Sequence, residues 1–237
     1  MTMRNALPQR ILAVADIGDT QVALASALAL AERHGASLDV IACVETPSEL
    51  SILSRISGEA PDRLVKDAVH HTRHTIETHL AKIAPGLALN LTVSVGKAFL
   101  EIIRHVALSD CDFVVKRAEP LSGLDRFLFS STDQHLLRKC PCPVWLTTAT
   151  APKSPRRILA TVDLDVADAA ESETLKALNR RVVETACAMA GDADAEVTVL
   201  HDWEAIGEGM IWAFGGSYDG RLNVDRYIYE VIDARRR

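Results

Sequence analysis

The sequence predicts an α/β fold: a doubly wound, five-stranded parallel sheet followed by an incomplete second copy. Three observations lead there. Short apolar runs alternate with helical stripes from Ile11 onward, the pattern of strands joined by crossover helices. Phe113-Val114-Val115 is apolar without interruption, as in a strand covered on both faces. Arg10-Ile-Leu-Ala-Val-Ala-Asp16 returns as Arg157-Ile-Leu-Ala-Thr-Val-Asp163, an offset of 147 positions, so the unit begins again.

In chain order, residues 11–15 form the first strand, ending at Asp16. Residues 20–31 make a helix with Leu24, Leu28 and Ala31 on one stripe and Gly35 just past its end. Residues 38–44 are the second strand, and residues 48–58 fit a loop or a short helix. Pro61 opens a long helix that places Val65, Ala68, Thr72, Ile76, Leu80 and Ile83 on one face and stops at Pro85-Gly86. Residues 89–95 alternate as a third strand. Residues 98–108 form a helix with Phe99, Ile102, Ile103 and Val106 inward. After the strand at Phe113, Ser131 and Gln134 make a capping-box pair that starts a helix. Pro141 and Pro143 end it, and residues 144–147 are the last strand.

A Thr/Ala/Pro/Ser-rich stretch then reads as a linker, giving a first domain at 1–148, a linker at 149–156 and a partial second domain at 157–237. The second copy has a stripe at Leu175, Leu178, Val182, Ala186 and Met189, closed by Gly191, and a strand at 196–201. At the same offset Arg237 falls near position 90, ahead of any third strand, so this copy reads as truncated or as borrowing sheet partners. A two-stranded unit buries little. The glycine-containing residues 203–222 are therefore expected to be poorly ordered, with a terminal helix over 222–235.

With 48% hydrophobic residues the chain can bury a core, and its net charge of -6 argues against nucleic acid or anionic membrane as main partner. No apolar run approaches the roughly 20 residues of a spanning helix. The first ten residues lack a secretory apolar region. Five scattered cysteines suit a reducing cytosol, and the chain is read as cytoplasmic.

Asp16 ends the first strand on the carboxyl side of the sheet, where open α/β folds bind ligands. It fits equally a turn or cap with Asp19 and Thr20. The helix starting at Ser131 would aim its free N–H groups at the loop after the Phe113 strand, a phosphate-binding geometry. Arg117 is an anion anchor or, by preference, a solvated loop residue. His70, His74 and Glu77 share a helix face beside His71 and His79, but His-His-x-x-His lacks the zincin glutamate, and a solvated face is the preferred reading. Cys140-Pro-Cys142 reads as packing. Asp163, the second-copy counterpart of Asp16, is expected to be idle. No catalytic set emerges.

The stretch from Cys111 to Thr147, with Ser122-Gly123-Leu124, Arg126 and Cys140-Pro-Cys-Pro-Val, resembles the universal stress proteins. The layout as a whole resembles their tandem type. That resemblance implies strand order 3-2-1-4-5 and a nucleotide motif Gly-x2-Gly-x9-Gly-Ser/Thr. In the register fixed by the quoted residues, the three glycines fall on Arg117, Pro120 and Ser130, and only the hydroxyl remains, as Ser131. Glycine lets backbone approach a phosphate or take positive φ, and proline removes a donor. The resemblance therefore implies a non-catalytic stress-adaptation protein, acting by binding or association, with ATP binding reduced or lost. The alternative it leaves is an adenine-nucleotide (ATP or AMP) binder with weak ATPase activity, using Asp16, Val44 beside the adenine, Ser130, Ser131 and Thr132. It also implies antiparallel pairing of fifth strands, hence a homodimer through Val144–Thr147 if the second copy has no fifth strand of its own.

Overall fold

The computed structural model describes residues 8–18, 21–87, 89–119, 132–164, 169–190 and 195–202, with 226, 229, 230 and 233 near the C-terminus. The chain divides into two units, Met1–Ile158 with Val183–Thr198, and Leu159–Val182 with Val199–Arg237.

In the first unit β1 (Arg10–Val14), α1 (Gln21–His34), β2 (Ser37–Val44), α2 (Leu50–Ser57), α3 (Pro61–Ile83), β3 (Asn90–Val95), α4 (Ala98–Ser109), β4 (Phe113–Arg117), α5 (Thr132–Lys139) and β5 (Val144–Thr147) follow in order. The sheet runs β3-β2-β1-β4-β5 with every pair parallel, as the family resemblance implies.

The pleat sorts the core into two layers. Ile11, Ala13 and Ala15 of the first strand region, Leu38, Val40 and Ala42 of β2, and Phe113 and Val115 of β4 face α1 and α3. Leu12, Val14, Ile41 and Val114 face the other way, onto Ile102 and Val106 of α4 and Leu136 of α5. Adjacent residues of one strand serve opposite layers because the side-chain period is two. Fully burying each large aliphatic contributes about 1.5–3 kcal/mol, so the central strands dominate stability.

Local chemistry sets the helix ends. α1 runs a turn beyond the predicted stop, to His34, and ends where Gly35 takes φ 61°. α3 begins at Pro61, whose missing N–H costs nothing at a first helical position. α4 closes on Asp110 at φ 53°, a left-handed cap that aspartate tolerates better than most residues. Residues 50–57 settle as helix rather than loop, although α2 buries none of its residues.

The second half contributes β6 (Arg157–Val162), α6 (Ala169–Ala190) and β7 (Glu196–His201), with β6 and β7 forming a separate two-stranded sheet. One expectation fails here. Leu178, assigned to the inward stripe of α6, is 56% exposed, while Leu175 and Val182 are half-buried. A helical stripe is buried only where something covers it. The carbonyls at the end of α6 meet side chains from α1: Arg33 Nη1 donates to Met189 O at 3.0 Å, and His34 Nε2 lies 2.9 Å from Ala188 O. Gly191, residues 203–222 and most of 222–235 lie outside the described residues; the four described in that last segment are helical.

Candidate functional site

A cleft of about 340 Å³ opens at the carboxyl ends of β1, β2 and β4. Asp16, Ile17 and Gly18 border it from the β1–α1 turn, Ala42 and Cys43 from β2, Thr72 from α3 and Arg117 from β4. Parallel strands that end together while their crossover helices leave on opposite faces create such a crevice. Asp16 is exposed there and Arg117 half-buried, so two of the predicted site residues meet. The preferred reading of Arg117 as a solvated loop residue fails, because it closes β4 with its backbone paired to Thr147 in register. Val44 is half-buried at the end of β2 and does not line the cleft; Cys43 does. Burial, helped by Glu101, Glu45 and Asp16, pushes the Cys43 thiol up to about 12, so it is a protonated donor rather than a nucleophile.

Beside the cleft lies a buried ionic group that sequence reading missed. Lys116, 5% exposed, points its Nζ to within 2.9 Å of Asp133 Oδ1 and 3.6 Å of Glu119 Oε1, and donates to Arg117 O at 2.9 Å. The contact with Oδ1 is an ion pair whose angle lies outside hydrogen-bond alignment. Asp133 Oδ2 accepts the backbone N–H of Glu119 at 2.7 Å, and the N–H of Ala118 donates to Thr147 O at 2.7 Å. Asp133 sits in the first turn of α5, where its negative charge answers the helix dipole. The only advance signals were a lysine closing an apolar run and an aspartate opening a helix.

Thr132 is the first residue of α5, half-buried and not among the cleft's lining residues; Ser130 and Ser131 lie outside the described residues. Asp163 is exposed and exchanges backbone hydrogen bonds with the Asn179 side chain. His70, His71 and His74 are exposed, as a solvated face requires, and a His79 ring nitrogen lies 3.0 Å from Thr75 O. Cys140 and Cys142 pack in the α4/α5 layer with their sulfurs 3.7 Å apart. The Cys142 thiol, hydrogen-bonded to Cys140, draws Cys140 down to about 7 and is itself driven upward.

Residues 8–148 match the universal stress protein family. The chain belongs to that family. Over 179 residues it is 28% identical to the universal stress protein E homolog of Haemophilus influenzae, covering 73% of this chain and 56% of that protein. It is 35% identical over 89 residues to universal stress protein E of Escherichia coli, covering 38% of this chain and 27% of that one. The chain therefore spans about half, or less, of the length of these curated relatives. A Pseudomonas aeruginosa structure described as a universal stress protein superposes at a TM-score of 0.53 with 21% identity, over 83% of this chain and 61% of that one, a likeness of fold alone. Family membership supports a stress-response role, and universal stress proteins are in general not ordinary enzymes. No helix among the described residues is long and apolar enough to cross a membrane.

Proposed function

We propose that this universal stress protein works in the cytoplasm by binding and association, without catalysis, and that its first domain takes ATP weakly or not at all. One observation carries this reading. The two backbone N–H groups that follow β4 are already spent inside the protein, on Thr147 O and on the Asp133 carboxylate. A phosphate needs free donors and an unopposed helix dipole. Here the Thr147 carbonyl and the Asp133 carboxylate hold the two donors, the same carboxylate answers the dipole, and Arg117 stands where the family's motif has its first glycine. In this reading residues 1–148 are the first domain, 149–156 the linker and 157–237 a partial second copy.

A second reading keeps an adenine nucleotide in the cleft. In its favour, Asp16 and Arg117 border one crevice whose volume falls within the usual range for small-ligand pockets, about 300–1,000 Å³. Calorimetric titration with ATP separates the two. The first expects no micromolar binding; micromolar affinity that weakens in Asp16→Ala reverses the ranking. Association is proposed through β5, which among the described residues is an edge strand of the sheet, with the outer backbone groups of Val144–Thr147 pairing to a second copy. Light scattering at tens of micromolar chain should then report a dimer, and a monomer counts against it.

A further inference from the structure

At the amino end of the same sheet, opposite the cleft, three ligand-type atoms converge. Asp39 comes from the start of β2, His105 from the second half of α4 and Cys111 from the turn ahead of β4. Their oxygen, nitrogen and sulfur atoms all lie within 4.8 Å of one another. His105 Nε2 is 3.7 Å and Cys111 Sγ 3.9 Å from Asp39 Oδ2. With bonds to zinc of roughly 2.0–2.2 Å for oxygen and nitrogen and 2.3 Å for sulfur, the edges of a tetrahedral site come to roughly 3.3–3.6 Å. The two gaps to Asp39 need only a few tenths of an ångström of closure, and the gap between His105 and Cys111, within 4.8 Å, needs about 1.2 Å at most.

A second, independent observation points the same way. His105 Nε2 is buried, on a side chain 11% exposed, and has no hydrogen-bond partner among the described residues. Buried ring nitrogens are seldom left so, because their hydration is lost with nothing in return. The 3.7 Å gap to Asp39 is too long for a hydrogen bond. Arg10 grips the same carboxylate, with Nη2 at 2.7 Å and Nε at 2.9 Å from Oδ2, and holds it in orientation as outer partners of metal ligands do. Asp112, fixed by the N–H groups of Gln9 and Arg10, adds negative charge close by.

We propose that Asp39, His105 and Cys111 form a three-ligand site for one divalent ion of the zinc type, with water in the fourth position. A mixed oxygen, nitrogen and sulfur set selects a borderline ion over magnesium or calcium, which take oxygen. The thiol proton of Cys111 passes to solvent as the metal–sulfur bond forms. Arg10, 39% exposed, is the most exposed member of the group and marks the side of entry. The ion would pin β2, α4 and the start of β4 together at the end of the sheet remote from the cleft, so the site stands or falls independently of any nucleotide.

The test titrates reduced, metal-free protein with Co2+ alone, following the near-ultraviolet thiolate-to-cobalt band and the visible bands of tetrahedral cobalt, and then adds Zn2+. One equivalent of cobalt should develop both sets of bands, and zinc should displace it. Cys111→Ser should abolish the thiolate band, whereas the double variant Cys140→Ser, Cys142→Ser should keep it. His105→Gln should weaken cobalt affinity by about 100-fold or more. Wild-type protein without a thiolate band overturns the proposal, as does a band that survives Cys111→Ser. Should Cys111→Ser fail to fold, full affinity in folded His105→Gln overturns it equally.

Discussion

β1 and β6 open on the same four residues, Arg-Ile-Leu-Ala, and end differently. Leu12 is wholly buried, while its counterpart Leu159 is 58% exposed. Ala13 and Ala160 are both buried, so one face of the shared Arg-Ile-Leu-Ala motif is covered in both strands and the other face only in β1. The reason lies in the neighbours. β1 is hydrogen-bonded between β2 and β4, with helices on both sides of the sheet, whereas β6 pairs within a sheet of two. The flanking charges diverge too: Arg10 is paired with buried Asp39, while Arg157 is exposed. A strand's sequence states which residues can be buried, and its surroundings decide which are.

The contrast can be tested at matched positions, and the largest effect should come from β4, the strand that gives β1 its second neighbour. Lys116→Ala strips the cation from a buried pair and leaves Asp133 behind. Urea denaturation should show a loss of about 3–5 kcal/mol, recovered only in part when Asp133 is also replaced by leucine, which leaves the Glu119 N–H without its acceptor. A loss no larger than that of a surface pair, about 1 kcal/mol or less, would mean that this group does not anchor the sheet. Next, Leu12→Ala should cost about 2–5 kcal/mol. Leu159→Ala should stay within about 0.5 kcal/mol. Equal losses would break the comparison.

Smaller again, Arg10→Ala leaves the Asp39 carboxylate with only the weak Cys111 S–H donor and should cost about 1–3 kcal/mol. Arg157→Ala should change stability by no more than about 0.5 kcal/mol. The last prediction involves no stability change. Thiolate is the species that reacts with iodoacetamide, so labelling of Cys140 should rise with pH through a midpoint near 7. Cys43 and Cys111, pushed up to about 12 and about 11 by burial, should resist labelling in the native state. Peptide mapping across a pH series reads all three, and early labelling of Cys111 would mean that the amino end of the sheet opens.

Much of the fold was legible because it depends on local period. The unbroken run at Phe113, the stripe of α3 and the proline and glycine stops all carry their meaning within a turn or two. That Asp16 would border a cleft was legible as well, since the carboxyl end of a parallel strand is a place rather than a composition. What escaped depends on distance. Thr72 looked like one more member of a buried stripe, yet it borders the cleft. Lys116 and Asp133 meet across a strand-to-helix connection, and residues 39, 105 and 111 are brought together only by the sheet order. Leu178 was misplaced for the opposite reason: its period was right and its cover was absent.

α2 gives the fold a further property. It hides none of its residues and turns Ile52, Leu53 and Ile56 toward solvent. Eight residues are too few for a helix to hold itself shut, so its amides should exchange by brief, independent melting while those of β1 wait for global unfolding. The chain can thus loosen and lend out three aliphatic side chains without disturbing the architecture beneath them.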